Sequence, residues 1–404
     1  MTGSDSLRFP AEFEPQRAVW LGWPTHDAKR GLSAIRTHLN LVRVLADHVA
    51  VRLATQDATE TGAVEYLLKA HGVPTEAVEL YPIRHDDVWF RDMGPIFLTD
   101  GAGRVVVQKF RFNGWGYDRV GARGVRLDGQ VPDRVAEALG LELRSSELIS
   151  EGGDRTFNGR GTLITVEAVE CQRNPGMSRD EIAAEFERVF GVRHVIWLKR
   201  GVYDDDHPFD GTLPGPDGLR DIVPCLTTGG HVDEHCRFVS PSAVLVAEVN
   251  EEEAESSAIA DVTRRRLEEN VAILRAANDQ DGNPLTIHRI PVPDPLFATM
   301  GPGDAVYDTY RAKYGDGFVY PLGDSVKTIA AASYCNFLIT NGAVLAPRYW
   351  RPGLAASIRR KDEQARKILE TLFPDREVHT LDVRALNFGG GGIHCVTQQE
   401  PAVA

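Results

Sequence analysis

Apolar positions recur along the chain with two periods, and their alternation predicts a repeated unit of helix, β-rich run and Gly-containing polar loop. Ile35, Leu39, Val42, Ala46 and Val49 fall three or four residues apart, one face of a helix, and the strand-like VRLAT follows. Ser178 with Glu181 three residues on predicts a capping box for RDEIAAEFERVF. There Ile182, Phe186, Val189 and Phe190 share a face before HVIWLKRG reads as a strand. The same order appears twice more. The acidic run EEEAESSAIADVTRRRLEENVAILRAAND reads as one helix before LTIHRIPVP, and DEQARKILETLF as another before EVHTLD. RVVVQKF, GTLITVEAV and AVLVAEV supply further β runs. Alternating helices and strands place the chain in the mixed α/β class.

Composition narrows the function. The 404 residues suit two or three average domains or one large body of repeats. No Gly-, Ser- or Pro-rich linker separates parts, so a single body over residues 1–404 is expected. Lys+Arg 45 against Asp+Glu 58 gives −13. Such a surface repels phosphate backbones and steers small cations, which argues against a nucleic-acid partner. No run reaches the about 18 apolar residues that span a bilayer, and MTGSDSLRFPAEFEP lacks the basic-then-apolar plan of a signal peptide. A cytoplasmic chain with no membrane partner is the expectation. The five cysteines are widely spaced with no C-x-x-C pair, which indicates neither a disulfide framework nor a cysteine zinc site. No G-x-G-x-x-G or P-loop opens a helix after a strand, so no nucleotide cofactor is indicated.

Four segments carry candidate chemistry. Gly389 to Gly392 stand side by side before His394 and Cys395, a run that permits close backbone approach and presents the thiol as a nucleophile. A buried, inert cysteine in a tight turn is the plainer alternative. In TTGGHVDEHCRF, His231, Asp233 and His235 alternate, and on a strand all three would face one pocket. That set suits a metal, or an acid/base His231 beside a cation-holding Asp233, or a solvated strand edge. Asp92 in DDVWFRDMGP needs a partner, either Arg91 or a cationic ligand. Glu151 and Asp154 flank two glycines in SEGGDRTF, where either carboxylate is equally a turn cap. A thiol, an imidazole and several carboxylates together suit attack on a guanidinium carbon, a planar cation that carboxylates clamp before the nucleophile.

The strings FPAEFEPQRAVWLGWP, VWFRDMGPIFL, VQKFRFNGWG, SEGGDRTFNGRGTLI, GGHVDEHCRF, SYCNFLITNGAVLAP and GGGGIHCVTQQEP, in this order, resemble the agmatine deiminase and bacterial-type peptidylarginine deiminase family of the guanidine-modifying, or pentein, superfamily. The resemblance covers essentially the whole chain. It implies a five-bladed α/β propeller with pseudo-fivefold symmetry and an acidic central channel. It implies Cys395 as nucleophile, His231 as general acid/base, and Asp92 and Asp233 as guanidinium-binding carboxylates. Glu151 matches the family's active-site glutamate. Trp89, Asn113 and Trp115 are expected to line the channel, and Gly390 and Gly391 to shape the nucleophile's loop. The implied reaction is hydrolysis of agmatine to N-carbamoylputrescine and ammonia through a covalent thiouronium, without metal or cofactor. Relatives are often dimers or larger, so a homo-oligomer is an expectation carried by the resemblance alone.

Several departures leave the substrate tail open. Many members read GHVDN where this chain has Glu234, His235 and Cys236, the segment 204–221 is an acidic insertion near the expected channel mouth, and FRFNGWGYDRV is closer to the peptidylarginine wording. The competing expectations are a deiminase or amidino-transferring enzyme for another guanidine, a metal-dependent hydrolase on His231, Asp233 and His235, and a silent polyamine- or guanidine-binding protein.

Overall fold

The computed structural model describes residues 7–100, 102–117, 122–216, 218–314 and 323–403. Five sheets among them repeat one strand pattern: an antiparallel pair, then a crossover to a third strand parallel to the second. Ile96–Thr99, Val105–Arg111 and Glu142–Ile149 form the first, and Thr156–Phe157, Thr162–Val166 and His194–Leu198 the second. Cys236–Ser240, Ala243–Glu248 and Thr286–Pro291 form the third, and Leu338–Thr340, Ala343–Arg348 and Glu377–Asp382 the fourth. The fifth brings distant parts of the chain together. Thr397–Pro401 runs antiparallel to Gln16–Gly22, which pairs in parallel with Ala50–Ala54, itself parallel to Val78–Tyr81. A further sheet of Ile222–Pro224, Val326–Ile329 and Phe297–Met300 stands outside the pattern.

Parallel neighbours need a long connection, and in each repeat a helix supplies it. The helices Val131–Leu139, Arg179–Phe190, Ala258–Ala276, Ala356–Leu372 and Ala34–Leu45 occupy the five crossovers. Ser178 and Glu181 make the reciprocal capping box, and Ile182, Phe186, Val189 and Phe190 are buried as the spacing requires. Three expectations shift. The helix Ala34–Leu45 stops before Val49, and its buried stripe is Ala34, Thr37, His38, Leu41, Val42 and Leu45 together with Leu39, leaving Ile35 half-buried. The acidic run breaks at Ser257, whose φ of −150° is extended and whose hydroxyl accepts from Ala260 N–H, capping Ala258–Ala276 after the separate helix Glu251–Ser256. Serine's preference for a cap outweighs helix continuity there. GTLITVEAV leaves the strand at Val166 and turns into the helix Glu167–Arg173.

The middle strands are apolar nearly throughout, as burial on both faces demands. One core cluster runs from Val19 and Leu21 through Leu245 and Leu345 to Ile393 and Val396. The junction of the first and last strands adds a polar clamp. Glu400 accepts from Trp20 Nε1 at 2.9 Å and pairs with Arg52 at 2.5 Å, with both charged side chains buried. No described helix is long and apolar enough to cross a membrane. The signal-peptide reading of residues 1–6 and the string positions Asp118 to Val120 lie outside the described residues.

Replacing Glu400 with Ala leaves Arg52 with the half-exposed Glu79, at 3.2 Å, as its ion-pair partner and with the faces of Trp20 and Tyr81. Urea unfolding is expected to show a loss of about 3 kcal/mol, the scale for breaking a buried pair. A loss within error would show that this clamp does not hold the junction.

Candidate active site

Two turns and a short helix deliver the site. Gly229 and Gly230 adopt φ of 92° and 109°, which a side chain resists, and lead into the 3-10 turn Val232–Glu234 with His231 at its N-cap. This corrects the strand reading of His231, Asp233 and His235. On a 3-10 turn alternate residues do not share a face, and His235 departs from the others. Its Nδ1 lies 3.2 Å from the His231 carbonyl oxygen, its Nε2 lies 3.5 Å from Asn270 Nδ2, and burial pushes its imidazole down to about 4. Among the described residues no cluster of potential ligand atoms unites His231, Asp233 and His235. Glu151 precedes the 3-10 turn Gly152–Asp154, and Asp92 lies in the one-turn helix Phe90–Met93.

The convergence centres on Gly153. A Cβ built there would stand 2.6 Å from His231 Nδ1, 2.8 Å from Asp92 Oδ1 and 3.2 Å from Asp233 Oδ2. Only a residue without a side chain leaves that space free. Gly153 N–H donates to Asp92 Oδ1 at 2.9 Å, and Trp115 Nε1 donates to Asp92 Oδ2 at 2.8 Å. His231 Nε2 faces Glu151 Oε2 at 3.3 Å, and Arg173 Nε donates to both Glu151 oxygens. Cys395 Sγ stands 3.7 Å from Asp233 Oδ2 and 3.8 Å from Glu234 Oε1, and accepts from Asn336 Nδ2 at 3.0 Å. His231 Nδ1 and Asp233 Oδ1 are buried without a hydrogen-bond partner. Of the two partners open to Asp92, Arg91 makes no bridge to it: Arg91 donates to Gln399 Oε1 at 2.7 Å and faces Glu12.

Burial and charge together set the protonation states. Burial opposes a charged His231, yet Asp92, then Glu151 and Asp154, raise it to about 10. Burial likewise opposes a charged Glu151, but Arg173 and His231 hold it down to about 2. Asp233 stays below the ordinary carboxylate range despite burial, because His394 Nδ1 bonds it at 2.6 Å. Burial, then Asp233, Glu234 and Asp92, raise the Cys395 thiol well above its usual value. At neutral pH the resting site therefore holds an imidazolium and a neutral thiol.

Beside these groups lies a cavity of about 220 Å³ lined by Trp89, Trp115, Tyr117, Phe209, Asp92 and Cys395, with Asp86, Asp87 and Asp128. Cys395 is only 4% exposed, but this cavity reaches it. Trp89 and Trp115 fall where expected. Asn113 does not: its Oδ1 accepts from Gly116 N–H at 2.9 Å, so it shapes the turn that holds Trp115 at the strained φ of 57°. Gly390 lines the cavity with φ 121°, and a Cβ on it would strike the Leu226 carbonyl oxygen. Gly391 packs under the sulfur, where a Cβ would stand 2.8 Å from Sγ and 2.8 Å from Trp89. From the acidic insertion Phe209 reaches the cavity, whereas Asp206 pairs with Arg266 and Asp205 accepts from Thr228.

Behind the site stands support that local sequence did not reveal. His394 bridges Asp233 to Glu12 Oε2, at 2.8 Å, and Arg237 pairs with the same Glu12 oxygen at 2.6 Å. Asn336 Oδ1 accepts from His394 N–H at 2.9 Å. Glu12 and Asn336 both lie in strings that carried the resemblance, the one signal that reached them.

Over residues 8–212 and 218–401 the chain matches the Porphyromonas-type peptidyl-arginine deiminase family. The chain belongs to this family. It is 31% identical over 412 residues to the agmatine deiminase of Pseudomonas aeruginosa strain LESB58, covering 99% of this chain and 96% of that one. The agmatine deiminase of Pseudomonas putida strain F1 is 32% identical over 408 residues with the same coverage. The fold is that of the Enterococcus faecalis agmatine deiminase structure, with a TM-score of 0.77 at 23% identity over 100% of this chain and 99% of that one. A C. jejuni agmatine deiminase structure gives 0.69 at 20% identity, over 98% and 96%. The mixed α/β class expected from the alternation is therefore that of the pentein family.

His231 makes stability fall on the alkaline side in this family member. Its folded value of about 10 exceeds the ordinary 6.5, so the folded state binds the extra proton between them. That contribution is complete below 6.5 and disappears as pH rises through about 10. Urea unfolding at stepped pH is expected to show this decline, with His231→Gln flattening it. An equal slope in both proteins would place the proton elsewhere.

Proposed function

We propose that this chain is an agmatine deiminase, hydrolysing the guanidinium of agmatine to N-carbamoylputrescine and ammonia. The observation that carries the reading is the convergence of His231 Nδ1, Asp92 Oδ1 and Asp233 Oδ2 on one point, with the Cys395 sulfur 3.7 Å from that same Asp233 oxygen. Asp92 and Asp233 accept hydrogen bonds from the guanidinium N–H groups and hold its carbon before the sulfur. The arriving cation offsets the carboxylates that keep the thiol neutral, so the thiol loses its proton toward solvent on binding. Thiolate adds to the carbon. His231, charged at rest, gives its proton to a departing nitrogen, which leaves as ammonia and yields an S-alkylthiouronium. Neutral His231 then takes one proton from water, whose oxygen attacks the same carbon. The C–S bond breaks, the sulfur leaves as thiolate and takes up the remaining O–H proton, and the neutral ureido product is released with the thiol and the imidazolium restored. Glu151, fixed by Arg173, orients His231.

The cavity favours agmatine over arginine. Asp86, Asp87 and Asp128 line it, and no Lys or Arg does so among the described residues. A distal ammonium is attracted there, and the face of an aromatic such as Trp115 or Phe209 adds to that attraction. The α-carboxylate of arginine would meet Asp86 and Asp87, while burial pushes Asp128 up to about 8 and leaves it a neutral hydrogen-bonding group near neutral pH. In this reading the five like-patterned sheets are the blades of a propeller and the chain is one catalytic body, supported by the pairing of Thr397–Pro401 with Gln16–Gly22. Five free cysteines fit a cytoplasmic location.

A panel of agmatine, free arginine, a peptidyl arginine and a guanidino-cyclitol, assayed for ammonia, tests the reading. Agmatine is expected to lead arginine by about 10²-fold or more in kcat/KM, the scale of a like-charge penalty of several kcal/mol. Cys395→Ala and iodoacetamide are expected to abolish turnover, and chelators to leave it unchanged. Faster release from arginine or peptidyl arginine would overturn the substrate, and full activity in Cys395→Ala would overturn the chemistry.

Glu12 supports Asp233 through His394 without lining the cavity. Glu12→Gln keeps the shape and removes the charge. It is expected to raise KM for agmatine more than it lowers kcat, because the loosened group is the clamp rather than the nucleophile. An unchanged KM with a fallen kcat would assign Glu12 to the chemical step.

A further inference from the structure

Away from the cavity, three side chains of metal-ligating type meet where the first helix–strand unit touches the last. His48 lies in the turn between the helix Ala34–Leu45 and the strand Ala50–Ala54. Glu377 and His379 occupy alternate positions of the strand Glu377–Asp382 and therefore share one face. His48 Nε2 and His379 Nε2 stand 3.2 Å apart, and Glu377 Oε2 lies 3.5 Å from His379 Nε2. One ligand atom from each residue falls within 4.8 Å of the other two.

We propose that His48, Glu377 and His379 form a binding site for a divalent first-row transition metal, zinc being the best fit. Tetrahedral zinc with bonds of about 2.0–2.2 Å sets its ligand atoms about 3.3–3.6 Å apart. The two contacts of His379 Nε2, at 3.2 and 3.5 Å, are close to that spacing, and a small turn of the exposed Glu377 side chain brings its oxygen toward His48. With neutral imidazoles, the single proton that His379 Nε2 can carry serves either His48 or Glu377 and not both contacts. A metal accounts for all three. Two imidazoles and one carboxylate suit zinc, cobalt or nickel, whereas calcium and magnesium take oxygen ligands. The rings are tilted at 58° rather than stacked, so their edges meet at the Nε2 atoms. His379 is 26% exposed and Glu377 69%, which leaves a path for the ion and room for water as fourth ligand.

The site also has a structural consequence. His48 and His379 are 331 positions apart in sequence. His48 Nδ1 is the one neighbour within 4 Å of a Cβ built on Gly342, in the turn that joins Leu338–Thr340 to Ala343–Arg348. A bound ion ties the turn after the first helix to the last of the three-stranded repeats. It lies outside the reacting groups and does not depend on the deiminase reading.

Zinc titrated calorimetrically into the full chain carrying Cys395→Ser, which removes the thiol of the Asp233–Glu234–Cys395 cluster, tests the proposal. One ion per chain is expected, with a Kd on the order of micromolar. His48→Ala and His379→Ala are each expected to weaken it at least about tenfold. Zinc is expected to raise the Tm of the parent and not of these variants. Cobalt is expected to give tetrahedral d–d absorbance without thiolate charge transfer. Glu377→Gln, on an exposed side chain, tests the third ligand without threatening the fold. No zinc uptake, or equal affinity in a His48→Ala/His379→Ala double variant, would overturn the site.

Discussion

The structure depends on keeping several carboxylates in one buried space without water to screen them. Asp92, Glu151 and Asp233 surround the point that Gly153 leaves open, with Glu234 close behind. Such a cluster is unfavourable unless cations or hydrogen bonds answer each charge. The protein answers most of them. Arg173 takes Glu151, His394 takes one oxygen of Asp233, and Trp115 and Gly153 take Asp92. What stays unanswered is directional: Asp233 Oδ1 has no hydrogen-bond partner, and His231 Nδ1 has only Asp92 Oδ1 at 3.7 Å. In the proposed chemistry the free Asp233 oxygen attracts the planar cation, and the rigid surround keeps it from finding a partner within the protein.

That surround requires closure of the chain. His394 and Cys395 immediately precede the strand Thr397–Pro401, which is fixed against Gln16–Gly22. Glu12, just before that partner strand, reaches back to His394 and Arg237. Pairing the two strands thus sets the sulfur and the support of Asp233 in one step. The Glu400–Arg52 clamp sits on the same pairing, so the stability of the junction and the geometry of the site are linked.

Local signals were legible where one segment settled its own geometry. The Ser178–Glu181 capping box, the buried face of Arg179–Phe190 and the β runs around Val105 and Ala243 needed no distant partner. The strand reading of His231 to His235 failed because Gly229 and Gly230 impose a turn that residue alternation cannot see. Ser257 shows the same limit, since a cap competes with helix continuity on nearly equal terms. Cys395, His231, Asp92, Asp233 and Glu151 were candidates in their own segments and took their roles from the resemblance, and their proximity emerged only in three dimensions. Asn113 had the right neighbourhood and a different task. Glu12 was silent because its partner lies 382 residues away, and no local pattern encodes such a pairing.

The resting protonation states follow from the same constraint. Burial disfavours a thiolate there, and the charges of Asp233 and Asp92 add to that, so the sulfur stays neutral while the site is empty. The imidazole lies on the opposite side of this balance, and its charge is the cheapest answer to Asp92 and Glu151. Under the proposed chemistry, an empty site stores a proton where the leaving nitrogen needs one and withholds nucleophilicity until a cation arrives. Neutral electrophiles of similar shape bring no charge to release the thiol. On the proposed mechanism, selectivity for guanidinium compounds begins with ionisation of the sulfur, before any contact with the rest of the substrate.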